Sequence, residues 1–185
     1  MTQRGPRGPL FRSTTVLGCV KDGTAALGAD GQVTMGDVVV KNRARKIRRL
    51  GEGEVLAGFA GAAGDALALL DRLEEQVKKH PGQLERACVA LIKEWRTDRS
   101  LHRLDATLAV LDRKRALLVA GSGEIVEPDD GVIAIGSGAP YALAAARALG
   151  RHSKLSPENL VRESLTIAGE ICIYTNLQIE LETLA

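Results

Sequence analysis

"TTVLGCVKDGTAALGAD", residues 14–30, holds two short apolar runs on either side of Lys21-Asp22-Gly23-Thr24. Asp-Gly between β-rich runs is a strong signal for a two-residue hairpin, because both turn positions need positive φ and these residues tolerate it. The first run opens on adjacent threonines, Thr14 and Thr15. Directly before them lies a stub of different character, "MTQRGPRGPLFRS", with Gly5, Pro6, Gly8 and Pro9 and no periodicity. It reads as flexible or removable.

Outward from this hairpin, "RKIRRL" and "EVLAGFAG" form a second strand pair joined by Gly51-Glu52-Gly53. From about Ala62 the pattern turns helical, with Leu67, Leu70, Leu73 and Val77 recurring at spacings of three and four. His80-Pro81-Gly82 ends that helix. A second spans about Gln83 to Asp98, with Ala87, Leu91 and Trp95 on one side. Strands return in "ATLAVLD", "ALLVAGS" and "GVIAIGS", with turns at Arg113-Lys114 and Ser122-Gly123. A third helix, "PYALAAARAL", is expected to end at Gly150. A fourth starts at Ser156-Pro157, a cap serine followed by proline at the first helical position, and leads towards Cys172. "LQIELET" alternates as a last strand. This grouping predicts an α+β fold with sheets stacked between helix layers.

A chain of 185 residues suggests one domain with a sizeable core. With 45% hydrophobic, 26% charged and only 3% aromatic residues, it reads as globular, its core built from Ala, Val, Ile and Leu. The formal charge is +2. The first 13 residues carry Arg4, Arg7 and Arg12 and no acid; taking these three charges from +2 leaves −1 for the body, which excludes a global nucleic-acid signature. Cys19, Cys88 and Cys172 are odd in number and widely spaced, which favours reduced thiols in a cytoplasmic protein over disulfides or zinc. No apolar run is long enough to cross a membrane. Val16-Leu17-Gly18-Cys19 resembles a lipoprotein box, but the apolar stretch before Gly18 is too short for a signal peptide.

The threonine pair raises a chemical reading. Cleavage between Ser13 and Thr14 would give Thr14 a free α-amine beside its own hydroxyl. A threonine hydroxyl is a poor nucleophile until a base takes its proton, and an N-terminal amine serves as that base. A reference pKa of about 7.7–8.0 leaves much of such an amine neutral near physiological pH. The nucleophile also calls for a nearby cation, and the cation for a carboxylate. "KNRARKIRR" offers Lys41, Arg43, Arg45, Lys46, Arg48 and Arg49; Asp30 is a candidate carboxylate, and Gly58 a candidate backbone donor to an oxyanion. Spacing alone does not select among them.

"TTVLGCV", "GADGQVTMG", "KNRARKIRRL", "VLAGFAG", "LIKEWRTDR", "IAIGSGAPYALAAARAL" and "LTIAGEICIYTN", in order and in register from Thr14 to about Asn176, resemble the HslV family. These are peptidase subunits of a bacterial two-component ATP-dependent protease, relatives of proteasome β-subunits. The resemblance implies a four-layer αββα N-terminal-nucleophile hydrolase sandwich, with residues 1–13 a leader removed to expose Thr14 and 14–185 a single peptidase domain. It implies Thr14 as nucleophile, Lys46 as active-site lysine, Asp30 as its partner, Gly58 as oxyanion donor and Ser137 as supporting serine. Lys41 matches a further basic position near the site. Gly169, Cys172 and Thr175 resemble a monovalent-cation site, sodium foremost, held by backbone carbonyls. The implied assembly is a homo-oligomer of two stacked hexamers, fed with unfolded proteins by an AAA+ ATPase ring, HslU. ATP belongs to that partner, since no Gly-x-x-x-x-Gly-Lys-Ser/Thr loop occurs in this chain.

Two departures stand out. The leader is longer than in many members, and Ala139 stands in "GSGAPYA" where the family leads one to expect glycine. Plainer readings remain for the single residues: a strand start for Thr14-Thr15, a solvated charge for Lys46, a turn aspartate for Asp30, close packing for Gly58. At the level of function, the rivals to a threonine peptidase are a catalytically silent ring subunit with its leader retained and a small-molecule amidase. His80, His102 and His152 are assigned no role.

Overall fold

The computed structural model describes residues 11–12, 14–61, 63–98, 101 and 106–185. The expected hairpin is present: β2 (Thr15–Lys21) pairs antiparallel with β3 (Thr24–Asp30) through a turn in which Asp22 and Gly23 both have positive φ, 52° and 77°. Because successive side chains of a strand point to opposite faces, Val16 and Leu17 enter different layers of the core. Both faces of β2 and β3 are buried, so these strands read as continuous apolar runs and not as alternating ones.

Outside this pair lie β11 (Val132–Gly136) and β12 (Ile179–Leu184), giving a four-stranded antiparallel sheet in the order β11-β2-β3-β12. A second sheet has the order β10-β9-β8-β7-β6, from β6 (Ile47–Leu50), β7 (Val55–Gly61), β8 (Ala106–Leu111), β9 (Ala116–Ala120) and β10 (Ile125–Val126). Val16, Leu27 and Ala29 of one sheet meet Leu56, Ala109 and Leu111 of the other. Helices α1 (Ala63–Lys79) and α2 (Leu84–Thr97) cover the outer face of the five-stranded sheet through Leu69, Leu73, Leu91 and Trp95. Helices α3 (Ala139–His152) and α4 (Pro157–Ile171) cover the four-stranded sheet through Ala142, Ala146, Val161 and Leu165. The architecture is the expected αββα sandwich.

Several details differ from the sequence expectation. The α1 stripe is Ala66, Leu69, Leu70, Leu73 and Val77, and Leu67 stands 45% exposed one position off that face. Helix α3 continues through Gly150 to His152 and ends at Ser153, whose N–H and hydroxyl both donate to the Leu149 carbonyl at 2.9 and 2.7 Å. One glycine costs a helix about 1 kcal/mol, which the flanking turns absorb. A small third sheet was not anticipated: β4 (Val33–Met35) lies between β5 (Val38–Lys41) and a two-residue β1 (Phe11–Arg12). Gly36-Asp37 between "VTM" and "VVVK" is the hairpin signal that would have found β4 and β5. The last part of the stub is therefore strand, paired Phe11 to Met35 and Arg12 to Thr34. The rest of the leader (1–10 and 13) and His102 lie outside the described residues. At α4 the cap is as expected, Ser156 Oγ accepting from Asn159 N at 3.3 Å.

Candidate active site

Thr14 precedes β2 and is only 3% exposed. Its position is held through its neighbours' backbone. The Ser137 N–H donates to the Thr14 carbonyl at 2.8 Å. The next N–H, that of Thr15, donates to Asp30 Oδ1 at 2.7 Å. Gly136 makes this approach possible: its φ is +94°, and a Cβ there would stand 1.9 Å from the Thr14 carbonyl oxygen. No other residue type fits both the backbone conformation and the space.

Asp30 ends β3, and four donors converge on its carboxyl group. Oδ1 accepts from Thr15 N and from Lys46 Nζ at 2.8 Å, while Oδ2 accepts from Gln32 N at 2.9 Å and Asn176 N at 3.3 Å. Lys46, immediately before β6, also donates to the Gln32 carbonyl at 2.7 Å. The Lys46–Asp30 ion pair is sealed from solvent, with side-chain exposures of 3% and 0%. Burial pushes the Lys46 ammonium below its ordinary value; the Asp30 charge and the hydrogen bond between them act in the opposite direction. A lysine so placed presents a fixed cation, with one donor beyond the two already used, beside the start of β2.

Of the residues singled out from sequence, Thr14, Asp30 and Lys46 thus converge. Ser137 joins them through its main chain. Gly58 lies in β7 opposite Ile47, and a Cβ on it would meet Val16 Cγ1 at 2.8 Å and the Lys46 carbonyl at 3.5 Å. The β6–β7 ladder stops at this pair, so from Phe59 onward β7 is paired only with β8. Lys41 is exposed at the end of β5, opposite Val33. Gly169 is in the last turn of α4, Cys172 caps that helix, and Thr175 follows, its N–H donating to the Cys172 carbonyl at 3.0 Å.

Four contributors were not singled out from sequence: Gln32, whose carbonyl and N–H serve Lys46 and Asp30; Asn176, whose Oδ1 accepts from Gly31 N at 3.1 Å; Gly138; and Thr15 as a buried partner in its own right. The Gln32 N–H lies two residues after Asp30, so the Asp-Gly-x turn is a local signal for it; the other three act across the fold, and no local pattern marks them. A surface cavity of about 570 Å³ near Gly51, Val77, His80 and Leu84 is lined by none of the converging residues. Among the described residues no cluster of His, Cys, Asp or Glu side chains is arranged to hold a metal ion. Cys19, Cys88 and Cys172 are all free and buried, as expected of reduced thiols. No described helix is long and apolar enough to cross a membrane.

The comparisons with known proteins agree with this fold. Residues 10–184 match the family described as "Proteasome subunit". The chain is 56% identical over 177 residues to the "ATP-dependent protease subunit HslV" of Chlorobium luteolum, covering 96% of this chain and 97% of that protein. It is 54% identical over 174 residues to the protein of the same description in Chlorobium phaeobacteroides, covering 94% and 96%. The crystal structure of eukaryotic HslV from Trypanosoma brucei superimposes with a TM-score of 0.86 at 42% identity, over 92% of this chain and 98% of that one. With a sandwich fold, a buried Thr14–Asp30–Lys46 cluster and likeness along nearly its whole length, the chain belongs to the proteasome subunit family.

Proposed function

We propose that Thr14 is the nucleophile of a threonine-type peptidase, freed by cleavage after Ser13 and served by Lys46, Asp30 and the backbone of β7. The chain is the proteolytic core subunit of an ATP-dependent protease, an activity that accords with its HslV relatives. The observation that carries the chemistry is the solvent-excluded Lys46–Asp30 pair beside Thr14.

Once exposed, the Thr14 amine takes the proton of its own hydroxyl, and Oγ1 attacks the substrate carbonyl carbon. The Lys46 cation favours loss of the hydroxyl proton and keeps the amine neutral. Negative charge passes to the carbonyl oxygen, which the backbone N–H of Gly58 receives, at the point where the β6–β7 ladder ends. Collapse breaks the C–N bond; the amine returns its proton to the leaving nitrogen, and an ester to Thr14 remains. Water, deprotonated by the same amine, attacks the ester carbonyl and restores Oγ1–H. Asp30 holds Lys46 and the Thr15 N–H in place throughout.

A monovalent cation fits the turn after α4. The Gly169 carbonyl lies in the final helical turn, where carbonyls lack intrahelical donors and the helix dipole is negative. Cys172 and Thr175 would add carbonyl oxygens, which suit a hard ion such as sodium; the buried Cys172 thiol would not be a ligand. Such an ion would fix the 169–175 segment and supply no chemistry to the reaction. The assembly that serves this function is two stacked hexamers in the cytoplasm, fed with unfolded proteins by an HslU-type AAA+ ring that alone carries the nucleotide.

The test starts with intact mass and N-terminal sequencing of protein purified from its native host. A start at Thr14, with peptide hydrolysis in the presence of the ATPase and none by Thr14→Ala, is the expected result. Normal turnover by Thr14→Ala overturns the reading. A retained leader with no hydrolysis supports a silent ring subunit, and cleavage of simple amides but not peptides an amidase.

A further inference from the structure

We propose that Thr15 and Thr175 form a buried hydroxyl clasp that sets the orientation of Thr14, making Thr175 a positioning residue for the reaction. The inference rests on Thr14 being the nucleophile. The two side chains are 160 residues apart in sequence, yet their Oγ1 atoms are 2.7 Å apart. Thr15 is fully buried and Thr175 nearly so. The Gly138 N–H donates to Thr15 Oγ1 at 2.9 Å. A Cβ on Gly138 would stand 2.3 Å from Thr15 Oγ1 and 2.6 Å from Thr175 Oγ1, so this glycine is seated directly on the pair.

A buried hydroxyl without a partner is costly, so each threonine holds the other in one rotamer. The consequence falls on the peptide plane between Thr14 and Thr15. Its carbonyl oxygen is fixed by Ser137 N and its N–H by Asp30, which ties it to the 136–138 turn and to β3. The clasp ties the following side chain to the 172–176 segment, which also supplies the Asn176 N–H to Asp30. With these three attachments, the remaining freedom of Thr14 is confined to its own side chain and amine. Neither hydroxyl is needed to fill space in a strand or loop: valine has nearly the same shape as threonine. Burial of two hydroxyls against each other beside the reacting residue therefore serves orientation, and misplacement of about 1 Å costs on the order of 100-fold in rate.

The experiment compares Thr175→Val and Thr175→Ser in the assembled enzyme with Thr14 exposed and its ATPase present, using one fluorogenic peptide. Valine keeps the shape and loses the hydroxyl; serine does the reverse. The expected result is a kcat lowered roughly 10- to 100-fold in Thr175→Val with KM within about twofold, and kcat largely restored in Thr175→Ser. A packing role predicts the opposite order, valine tolerated and serine impaired, and that order overturns the proposal, as does unchanged kcat in Thr175→Val. Should Thr175→Val fail to fold, Thr15→Val carries the same test in a residue where a strand favours valine; failure of both to fold makes the pair structural and overturns the positioning role. Wild type and Thr14→Ala run beside them: an inactive wild type or an active Thr14→Ala removes the catalytic reading itself, whereas active wild type, dead Thr14→Ala and unaffected Thr175→Val remove only the clasp.

Discussion

Asp30→Asn is the sharpest perturbation of the site, because it keeps the shape of the side chain and removes one charge. The carboxyl group receives four donors, two on each oxygen. An asparagine can offer one oxygen only. Turned one way, its NH2 faces the N–H groups of Gln32 and Asn176; turned the other, it faces Thr15 N–H and the Lys46 ammonium. Either orientation loses two hydrogen bonds and leaves Lys46 as a buried cation with neutral acceptors only: the Gln32 carbonyl and, in the first orientation, the amide oxygen at position 30. Breaking one side of such a buried pair costs about 3–5 kcal/mol. For a domain of this size each kcal/mol lowers Tm by roughly 2–4 °C, so the expected drop is roughly 6–20 °C by circular dichroism. Peptide hydrolysis by the enzyme with Thr14 exposed is expected to fall to background, since the Lys46 cation loses the charged partner that holds it beside Thr14. Adding Lys46→Met removes the stranded charge: Asp30→Asn/Lys46→Met should regain much of the lost Tm but none of the activity. A single mutant within about 2 °C of wild type, or one that retains hydrolysis, would refute the argument that Asp30 holds the site together.

Two further outcomes follow from the same geometry. Gly136→Ala places a Cβ 1.9 Å from the Thr14 carbonyl at a φ of +94°; it should break the Ser137–Thr14 hydrogen bond, destabilise the fold by more than the ~1–2 kcal/mol of the backbone conformation alone, and abolish hydrolysis, checked by thermal unfolding and peptide turnover. Cys19 and Cys88 should resist alkylation in the native state: burial, the dominant cause in both, pushes their thiols from the ordinary 9.0 up to about 11 and about 12. Asp130 adds to the rise at Cys19 against an opposing Lys21, and Asp112 and Glu85 add to it at Cys88. At pH 8 the thiolate fraction of each is at least about 100-fold below that of an unperturbed thiol, so labelling monitored by mass should appear only as the protein unfolds; rapid labelling of the native protein would contradict the described burial.

Much of the architecture was legible because it is written in local signals. Asp22-Gly23 marks the first hairpin, Ser156-Pro157 the start of α4, and the three-four spacing the two helices over the five-stranded sheet. The limits were local too. Leu67 satisfies a helical spacing yet points away from the core, since a face is defined only by what packs on it. Val38, Val39 and Val40 are all exposed, so β5 shows none of the alternation that identifies a half-buried strand.

For the site, the sequence alone determined the residue types available: a threonine pair at the start of a strand, an aspartate at the end of the next, and a run of six cations. Only tertiary structure chose among the cations. In an extended chain a shift of one residue turns a side chain to the other face. The backbone before β6 therefore buries Lys46 against Asp30 while Arg45 and Arg49 remain exposed. The same holds for the attachments of Thr14. Ser137, Gly138 and Thr175 lie more than 120 residues from the threonine pair in the chain, and no spacing rule links them. They meet because β11 pairs with β2 and the segment after α4 returns to β3, so the sheet register, not the sequence pattern, brings their donors and acceptors within hydrogen-bonding distance.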